Sequence, residues 1–215
     1  KSYHKNPVRL GGAVGISGAA ASPNQGFHSS LPVAFLMTMF NVRLGWWSPN
    51  PRFGPTWASA TAEIGLYYLL QELFGMSDDK SHHVYLSDGG HFENLAIYEL
   101  VRRRCRFIVV SDAGQDGTFH FEDLGNAVRK CYVDHGIRID IDTAGIRPLG
   151  NPALSRFHCA VGSIRYDLVD PAAQPGVLLY IKPSLTGNEP ADILHFAAEH
   201  PDFPHQSTAD QWFTE

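Results

Sequence analysis

Residues 84–95 read VYLSDGGHFENL and residues 106–112 read RFIVVSD, and the predicted fold is built around these two segments. Val84 to Leu86 is an apolar, strand-forming run that stops at Ser-Asp-Gly-Gly. Paired glycines permit a positive φ and a close approach of the backbone, so the run should end in a tight turn. The sequence therefore predicts that the carboxylate of Asp88 lies at the end of a strand.

A helix and a second strand are predicted after this turn. Apolar residues recur at helical spacing through residues 95–101, and arginines occupy 102–104, where cations favour the C-terminal end of a helix. Residues 107–110 are wholly apolar and lead to Asp112. Strand, helix and strand at this spacing predict a right-handed crossover in a parallel sheet, in which ligands bind at the carboxyl ends. We expect Asp88 and Asp112 at neighbouring strand ends, with the strand before Asp88 in the centre of the sheet.

The second half of the chain predicts one more helix and an antiparallel part of the sheet. Residues 122–135 carry an apolar face and are followed by Gly136, which is typical of a helix C-terminus. Residues 137–141 alternate between apolar and polar, as in a half-buried strand, and residues 158–164 and 177–181 are two further candidate strands with a loop between them. The predicted fold class is α/β, with a mainly parallel sheet flanked by helices and an antiparallel edge.

Two apolar segments precede the central turn. Residues 31–47 have almost no polar side, which favours a helix buried in the core; the alternatives are the wall of an acyl-chain channel and a surface that faces lipid. Residues 57–74 return to helical spacing and end at Gly75. We expect the segment 31–47 to be mostly helical and mostly buried.

Length, charge and cysteine usage limit the class of protein. The chain has 215 residues, and we expect residues 1–215 to form a single domain. Its net charge is −5 and its basic residues are scattered, so we expect no nucleic-acid partner. No apolar run is long enough to cross a bilayer, and no signal-peptide pattern is present. The three cysteines are widely spaced, which suggests reduced thiols in the core of a cytoplasmic protein. Because the sequence starts at Lys1 rather than at methionine, we expect a fragment of a longer protein.

No metal site and no cofactor are expected. His82 and His83 are adjacent, so on an extended segment they point to opposite sides, and neither they nor His91 have an acidic residue or cysteine at a ligand spacing. The acidic loop after Asp112 lacks the spaced oxygen ligands of a calcium loop. A nucleotide-binding protein is disfavoured because no Gly-x-Gly-x-x-Gly follows a strand and no Walker lysine is present.

A candidate nucleophile lies near the start of the sequence. Gly15-Ile-Ser17-Gly-Ala19 fits a nucleophile elbow, in which a sharp strand-to-helix turn holds a serine beside amides that bind an oxyanion. The long helix that should follow an elbow is interrupted at Pro23-Asn-Gln-Gly26, so a structural role for Ser17 stays open. Asp88, held at a strand end, is the carboxylate that can take the serine proton without a histidine.

These residues resemble the patatin-like acyl hydrolases. Asp88-Gly89-Gly90, followed by Asn94 and a helix, is similar to the Asp-Gly-Gly block of that family, and residues 107–112 are similar to the strand after it. A longer motif resembles a bacterial branch of large patatin-like proteins. It consists of Ser-Asp-Gly-Gly-His-Phe-Glu-Asn-Leu followed by Tyr-Glu-Leu-Val-Arg-Arg-Arg-Cys. The resemblance covers most of the chain and implies the C-terminal part of a patatin-like catalytic domain.

In that family the aspartate is half of a Ser-Asp dyad, which implies Ser17 and Asp88 as the catalytic residues. The glycines expected at oxyanion or turn positions are Gly11, Gly12, Gly18, Gly89 and Gly90, and the residues expected beside the dyad are His91, Asn94 and Asp112. The stretch around Ser17 looks like the Gly-Leu-Ser-Gly-Ser elbow of cytosolic phospholipases. Residues 16–23 are equally similar to a later family block, Ala-Ser-x-Ala-x-Pro, and on that interpretation Ser17 is structural and the nucleophile lies upstream of Lys1.

The function implied by the resemblance is lipolytic: an esterase or phospholipase that hydrolyses acyl esters with a Ser-Asp dyad. The expected partners are a lipid or small-ester substrate and a membrane surface touched peripherally, in the cytoplasm of a bacterium, with the oligomeric state left open. The alternative is a non-catalytic patatin-like remnant that lacks its upstream nucleophile and acts as a binding or assembly module.

Overall fold

A computed structural model describes residues 10–19, 21–22, 30–40, 42, 44–50, 52–53, 65–150 and 152–207. The chain divides into two compact units, Lys1–Asn94 and Leu95–Glu215. The prediction that residues 1–215 form one domain stays a prediction.

The first unit contains a two-stranded sheet and three helices in its described residues. They are α1 (Leu10–Ser17), α2 (Leu31–Met39), β1 (Trp46–Pro49), α3 (Gly65–Leu73) and β2 (His83–Leu86). β1 and β2 pair antiparallel, with Trp47 opposite Tyr85. The buried indole of Trp47 lies against the ring of Tyr68, 4.6 Å between centroids, and its Nε1 donates to Glu72 Oε1 at 2.6 Å. Trp47 therefore anchors the sheet to α3.

The position of β2 corrects the prediction for the strand that precedes Asp88. We expected a central strand of a parallel sheet, but β2 belongs to a sheet of two antiparallel strands among the described residues. Its partner β1 contains Trp46 and Trp47, the end of the segment that was expected to be helical. A short apolar run identifies a strand but not its partner, so the local sequence pattern does not predict this pairing.

Helix α2 confirms part of the prediction for residues 31–47 and contradicts the rest. Nine of these residues are helical, but only Ala34 is buried within α2. The side chains of Leu31, Phe35 and Met39 are 72%, 54% and 62% exposed. A helix without a polar side gives no periodicity from which a buried face can be chosen, so its sequence does not decide what covers it. In the segment 57–74, residues 65–73 are helical as predicted, and residues 57–64 lie outside the described residues.

The second unit is built on a four-stranded mixed sheet. Its elements are α4 (Ile97–Arg102), β3 (Phe107–Ser111), α5 (Glu122–His135), β4 (Arg138–Ile141), β5 (Cys159–Arg165), β6 (Gly176–Ile181) and α6 (Ala191–Glu199). The strand order is β3-β6-β5-β4; β3 and β6 are parallel, and the other two pairs are antiparallel. The broad α/β class is therefore confirmed, while the mainly parallel sheet is wrong because one pair alone of this sheet is parallel. β3 lies at the edge of the sheet rather than beside a central β2.

Several predictions for this unit are confirmed by the elements observed. α5 spans Glu122–His135 and ends at Gly136, whose φ is +66° and whose N–H donates to Tyr132 O at 2.9 Å. That φ lies in the left-handed region that glycine adopts without strain. The strand predicted at 137–141 is β4, and β5 and β6 are the antiparallel pair predicted from residues 158–164 and 177–181.

One core joins the sheet to α4 and α5. The alternate residues of β3 and β6 that point inward, among them Ile108 and Leu178, pack with Leu124 and Ala127 of α5. Of the three cysteines, Cys131 lies in this core, whereas Cys159 is exposed, which corrects the expectation that all three are core thiols. No helix in the described ranges is long and apolar enough to span a membrane.

Candidate functional site

The Asp-Gly-Gly turn forms directly after β2. Asp88 Oδ1 accepts a hydrogen bond from Gly90 N at 2.8 Å and thereby caps a short 3₁₀ turn, Gly89–His91. A Cβ on Gly90 would collide with the side-chain oxygen of Asn94 and would lie 3.3 Å from Asp88 Oδ1. The predicted close approach is therefore confirmed at Gly90. The two glycines permit a positive φ, but neither Gly89 nor Gly90 adopts one.

The carboxylate of Asp88 is fixed by one oxygen. Asp88 is half-buried, and within the part of the chain that the structure describes its Oδ2 makes no hydrogen bond. His91, expected beside Asp88, has its Nδ1 3.2 Å from Ser87 Oγ. The turn thus holds one carboxylate oxygen of Asp88, while the other has no hydrogen-bond donor in the described part of the chain.

Ser17 does not occupy the predicted elbow geometry. It is the last residue of α1, which begins at Leu10, and it is exposed. Gly11 and Gly12 lie in the first turn of this helix, and Gly18 donates its N–H to Val14 O at 3.0 Å. A serine at the end of a helix is not on a turn between a strand and a helix, so the prediction that Ser17 lies on a nucleophile elbow is wrong. No hydrogen bond joins Ser17 to Asp88 among the described residues, and Pro23–Gly26 lie outside them.

Asp112 lies in the second unit, at the end of β3, so the sheet edge predicted to carry both aspartates does not form. It belongs to a buried ionic cluster, which we define as Asp112, Asp116, Tyr180 and Lys182. Asp112 Oδ2 accepts from the hydroxyl of Tyr180 and, at 3.2 Å, from Lys182 Nζ. Lys182 is 1% exposed and its Nζ also lies 3.6 Å from Asp116 Oδ2. Burial, with the adjacent Asp112, raises the pKa of the Tyr180 hydroxyl.

The sequence analysis missed Tyr180 and Lys182, although β6 carried a signal. Residues two apart on a strand point to one face, so Tyr180 and Lys182 share the face that Leu178 buries in the core. A lysine on the buried face of an apolar strand requires a carboxylate partner. Asp112 and Lys182 follow parallel strands, and a pocket of about 300 Å³ opens beside them, lined by Gly114, Gln115, Asp116, Gly117, Thr118, His120, Glu122, Asp123 and Lys182.

His205 is a buried imidazole near the same cluster. Its ring is 7% exposed, lies edge-on to Phe119 with 4.6 Å between centroids, and has no hydrogen bond at either nitrogen among the described residues. Burial lowers the pKa of His205, and the nearby charge of Lys182 adds to the effect. No group of three or more His, Cys, Asp or Glu in the described ranges is arranged to hold a metal ion.

A scan against family models, a search of curated proteins and a search of solved structures each found no match to this chain. The likeness to patatin-like proteins therefore depends on the motif residues.

Proposed function

We propose that this chain belongs to an acyl-ester hydrolase of the patatin type and supplies the general base, Asp88. The observation that supports this most directly is the state of the Asp88 carboxylate. Gly90 N fixes Oδ1 at 2.8 Å, and Oδ2 has no hydrogen-bond partner in the described part of the chain. A base needs a fixed orientation and an open lone pair, and this turn supplies both.

The reaction needs a serine and this carboxylate. The serine Oγ attacks the ester carbonyl carbon as its proton passes to Asp88, and the tetrahedral intermediate then expels the alcohol, which takes that proton. Water, activated by the same carboxylate, releases the acid from the acyl-serine. Ser17 is the nucleophile that the family resemblance assigns, and it must approach Asp88 to about 2.6–3.2 Å for proton transfer.

The exposed apolar side chains of α2 support a lipid or small-ester substrate and peripheral contact with a membrane surface. Leu31, Phe35, Leu36 and Met39 are more than half exposed, and an exposed apolar surface of this kind marks a contact site for lipid or for another protein. The proposed setting is the cytoplasmic side of a bacterial membrane.

A second candidate is a non-catalytic binding or assembly module of the patatin type. The exposed position of Ser17 at the end of α1, without a hydrogen bond to Asp88 in the described structure, favours it. On this alternative Ser17 is structural.

Hydrolysis of p-nitrophenyl esters by the 215-residue chain separates the candidates. Asp88→Asn retains the oxygen that accepts from Gly90 N and removes the base, so we expect kcat/KM to fall at least about 100-fold. Ser17→Ala should do the same if Ser17 attacks. Asp192→Asn removes one exposed carboxylate of α6 and should leave the rate unchanged.

Hydrolysis by Asp88→Asn at the wild-type rate would refute the role of Asp88. A chain that folds but hydrolyses no ester supports the non-catalytic module.

A further inference from the structure

In the second unit a serine lies next to a histidine, and the same histidine lies next to a carboxylate. Ser184 Oγ lies 3.1 Å from His158 Nδ1, and His158 Nε2 lies 3.9 Å from Glu189 Oε1. They come from three segments: His158 precedes β5, Ser184 follows β6, and Glu189 precedes α6. The pairing of β5 with β6 sets the first contact, because it continues to a bond from Lys182 N to His158 O at 3.0 Å.

Glu189 is an ionised and immobilised carboxylate. Its Oε1 accepts from Thr186 N at 2.6 Å and from Thr186 Oγ1 at 2.9 Å, and its Oε2 accepts from Gly187 N at 2.8 Å. These bonds, first that from Thr186 N, lower the pKa of Glu189 to about 2. The carboxylate is therefore negative at neutral pH and cannot rotate away from the imidazole without losing three donors.

Glu189 lies on the Nε2 side of His158, and the 3.9 Å between Nε2 and Oε1 is longer than a hydrogen bond. A proton on Nε2 faces the carboxylate, which leaves the Nδ1 lone pair to accept from Ser184 Oγ. The His158 side chain is 52% exposed, so a substrate can reach the ring, while Ser184 is 7% exposed. A nucleophile within hydrogen-bond reach of a base, which is in turn oriented by a third group, is the arrangement that activates a serine.

Two amides next to the hydroxyl are available for an oxyanion. Within the described residues, neither Ser184 N nor Leu185 N donates a hydrogen bond. Serine hydrolases use the N–H of the residue after the nucleophile for this purpose. The carbonyl of Leu185 is held by Ser155 N at 2.7 Å, which fixes the orientation of this segment.

A pocket of about 660 Å³ is lined by residues next to Ser184, His158 and Glu189, among them Phe157 and Cys159, rather than by these three residues themselves. Its lining includes Ser155, which bonds to Leu185, and Phe157, whose carbonyl oxygen lies 3.4 Å from Ser184 Oγ. The other large apolar side chains of the lining are Leu149, Leu154 and Val161. The lining also contains the charged residues Asp142, Arg147 and Arg156, and the volume suits a small ester.

We propose that Ser184, His158 and Glu189 form a second hydrolytic centre, which cleaves small carboxylic esters independently of Asp88. Ser184 Oγ bonds to the carbonyl carbon as its proton passes to His158 Nδ1, and Leu185 N donates to the carbonyl oxygen that becomes negative. Collapse of the intermediate breaks the bond to the alcohol, which takes the proton from His158. Water then attacks the acyl-serine with His158 as base, and the carboxylic acid leaves as Ser184 regains its proton. Glu189 is a positioning residue, because its fixed carboxylate lies on the Nε2 side of the imidazole.

A fluorophosphonate probe followed by mass spectrometry of the 215-residue chain tests this proposal. We expect the label on Ser184. In an Asp88→Asn background, Ser184→Ala and His158→Ala should each reduce labelling and p-nitrophenyl butyrate hydrolysis at least about 100-fold. Glu189→Gln should lower kcat about tenfold at unchanged KM. Ser163→Ala is the matched control, because Ser163 lies on β5 away from the triad, and it should hydrolyse the ester at the wild-type rate.

Asp88→Asn separates this proposal from the preceding one, because hydrolysis through Ser184 should survive that change. Absence of a label on Ser184 in Asp88→Asn, or undiminished hydrolysis by a folded protein that carries both Asp88→Asn and Ser184→Ala, would overturn the second centre. In the last case the hydroxyl serves only to bond His158 and Phe157, and Ser184→Ala should lower the melting temperature without a kinetic effect.

Discussion

Replacing Lys182 by methionine removes the ammonium of the buried ionic cluster and keeps a side chain of similar length. At 3.2 Å, with an effective dielectric constant of about 20, the attraction between Lys182 and Asp112 is about 5 kcal/mol before desolvation is counted. Loss of one partner of such a pair leaves the other charge buried, so we expect the free energy of unfolding to fall by about 3–5 kcal/mol. A domain is stable by about 5–15 kcal/mol, so the variant should fold marginally.

Urea unfolding, followed by circular dichroism, measures this loss. Arg138→Met is the matched control, because Arg138 forms an ion pair with Asp140 in the same sheet but its side chain is 63% exposed. An exposed pair contributes about 0–1 kcal/mol, so this variant should unfold almost as the wild type does. Asp112→Asn combined with Lys182→Met should lose less than the sum of the two single changes, because they share one interaction. A loss below about 1 kcal/mol in Lys182→Met, or an equal loss in Arg138→Met, would refute this account of the cluster.

Three further changes test the packing of the second unit. Burial lowers the pKa of His205 below its ordinary 6.5, so the contribution of neutral His205 to the free energy of unfolding is complete above about pH 6.5 and is lost as the pH falls through the folded-state pKa, by at most about 1.4 kcal/mol per pH unit. Urea unfolding at several pH values should show this loss in the wild type and not in His205→Gln. An identical dependence of the free energy of unfolding on pH in the two proteins would contradict it. Gly162→Ala places a Cβ 2.8 Å from Ile141 Cβ and 2.9 Å from Asp140 O, so we expect a loss of about 1–3 kcal/mol by urea unfolding, and no loss would show that β4 can shift freely. Tyr166→Phe removes a hydroxyl that donates to Cys105 O at 2.7 Å, and it should cost about 1 kcal/mol in the same assay; an unchanged midpoint would argue against that bond.

The sequence by itself determined the elements whose signal is local. The helix 122–135 was predicted with its limits because its apolar face repeats at helical spacing and Gly136 permits the left-handed φ that ends it. The strands β4, β5 and β6 were predicted because alternation and flanking turn residues are properties of a few neighbouring residues. The tight turn after Asp88 was predicted for the same reason, since Gly90 leaves room for Asn94.

Only the tertiary structure decided which strands pair and which side chains meet. β2 and β3 have the apolar pattern that predicted adjacent parallel strands, yet β2 pairs with β1 and β3 pairs with β6, because hydrogen-bond partners are chosen by long-range packing that a short run does not encode. The apolar segment 31–39 forms a helix as its composition predicted, but burial depends on a neighbour that composition does not name.

The Asp88 turn could be predicted from the sequence, whereas the side-chain clusters of the second unit could not. Asp88 was found because a contiguous motif holds it, whereas Lys182 meets Asp112 only because β6 lies parallel to β3. Likewise, the antiparallel pairing of β5 with β6 brings His158 to Ser184 across 26 residues of sequence, and a turn fixed by Thr186 and Gly187 brings Glu189 to the ring. No spacing rule connects these positions in the sequence, because the distance between them is set by the sheet.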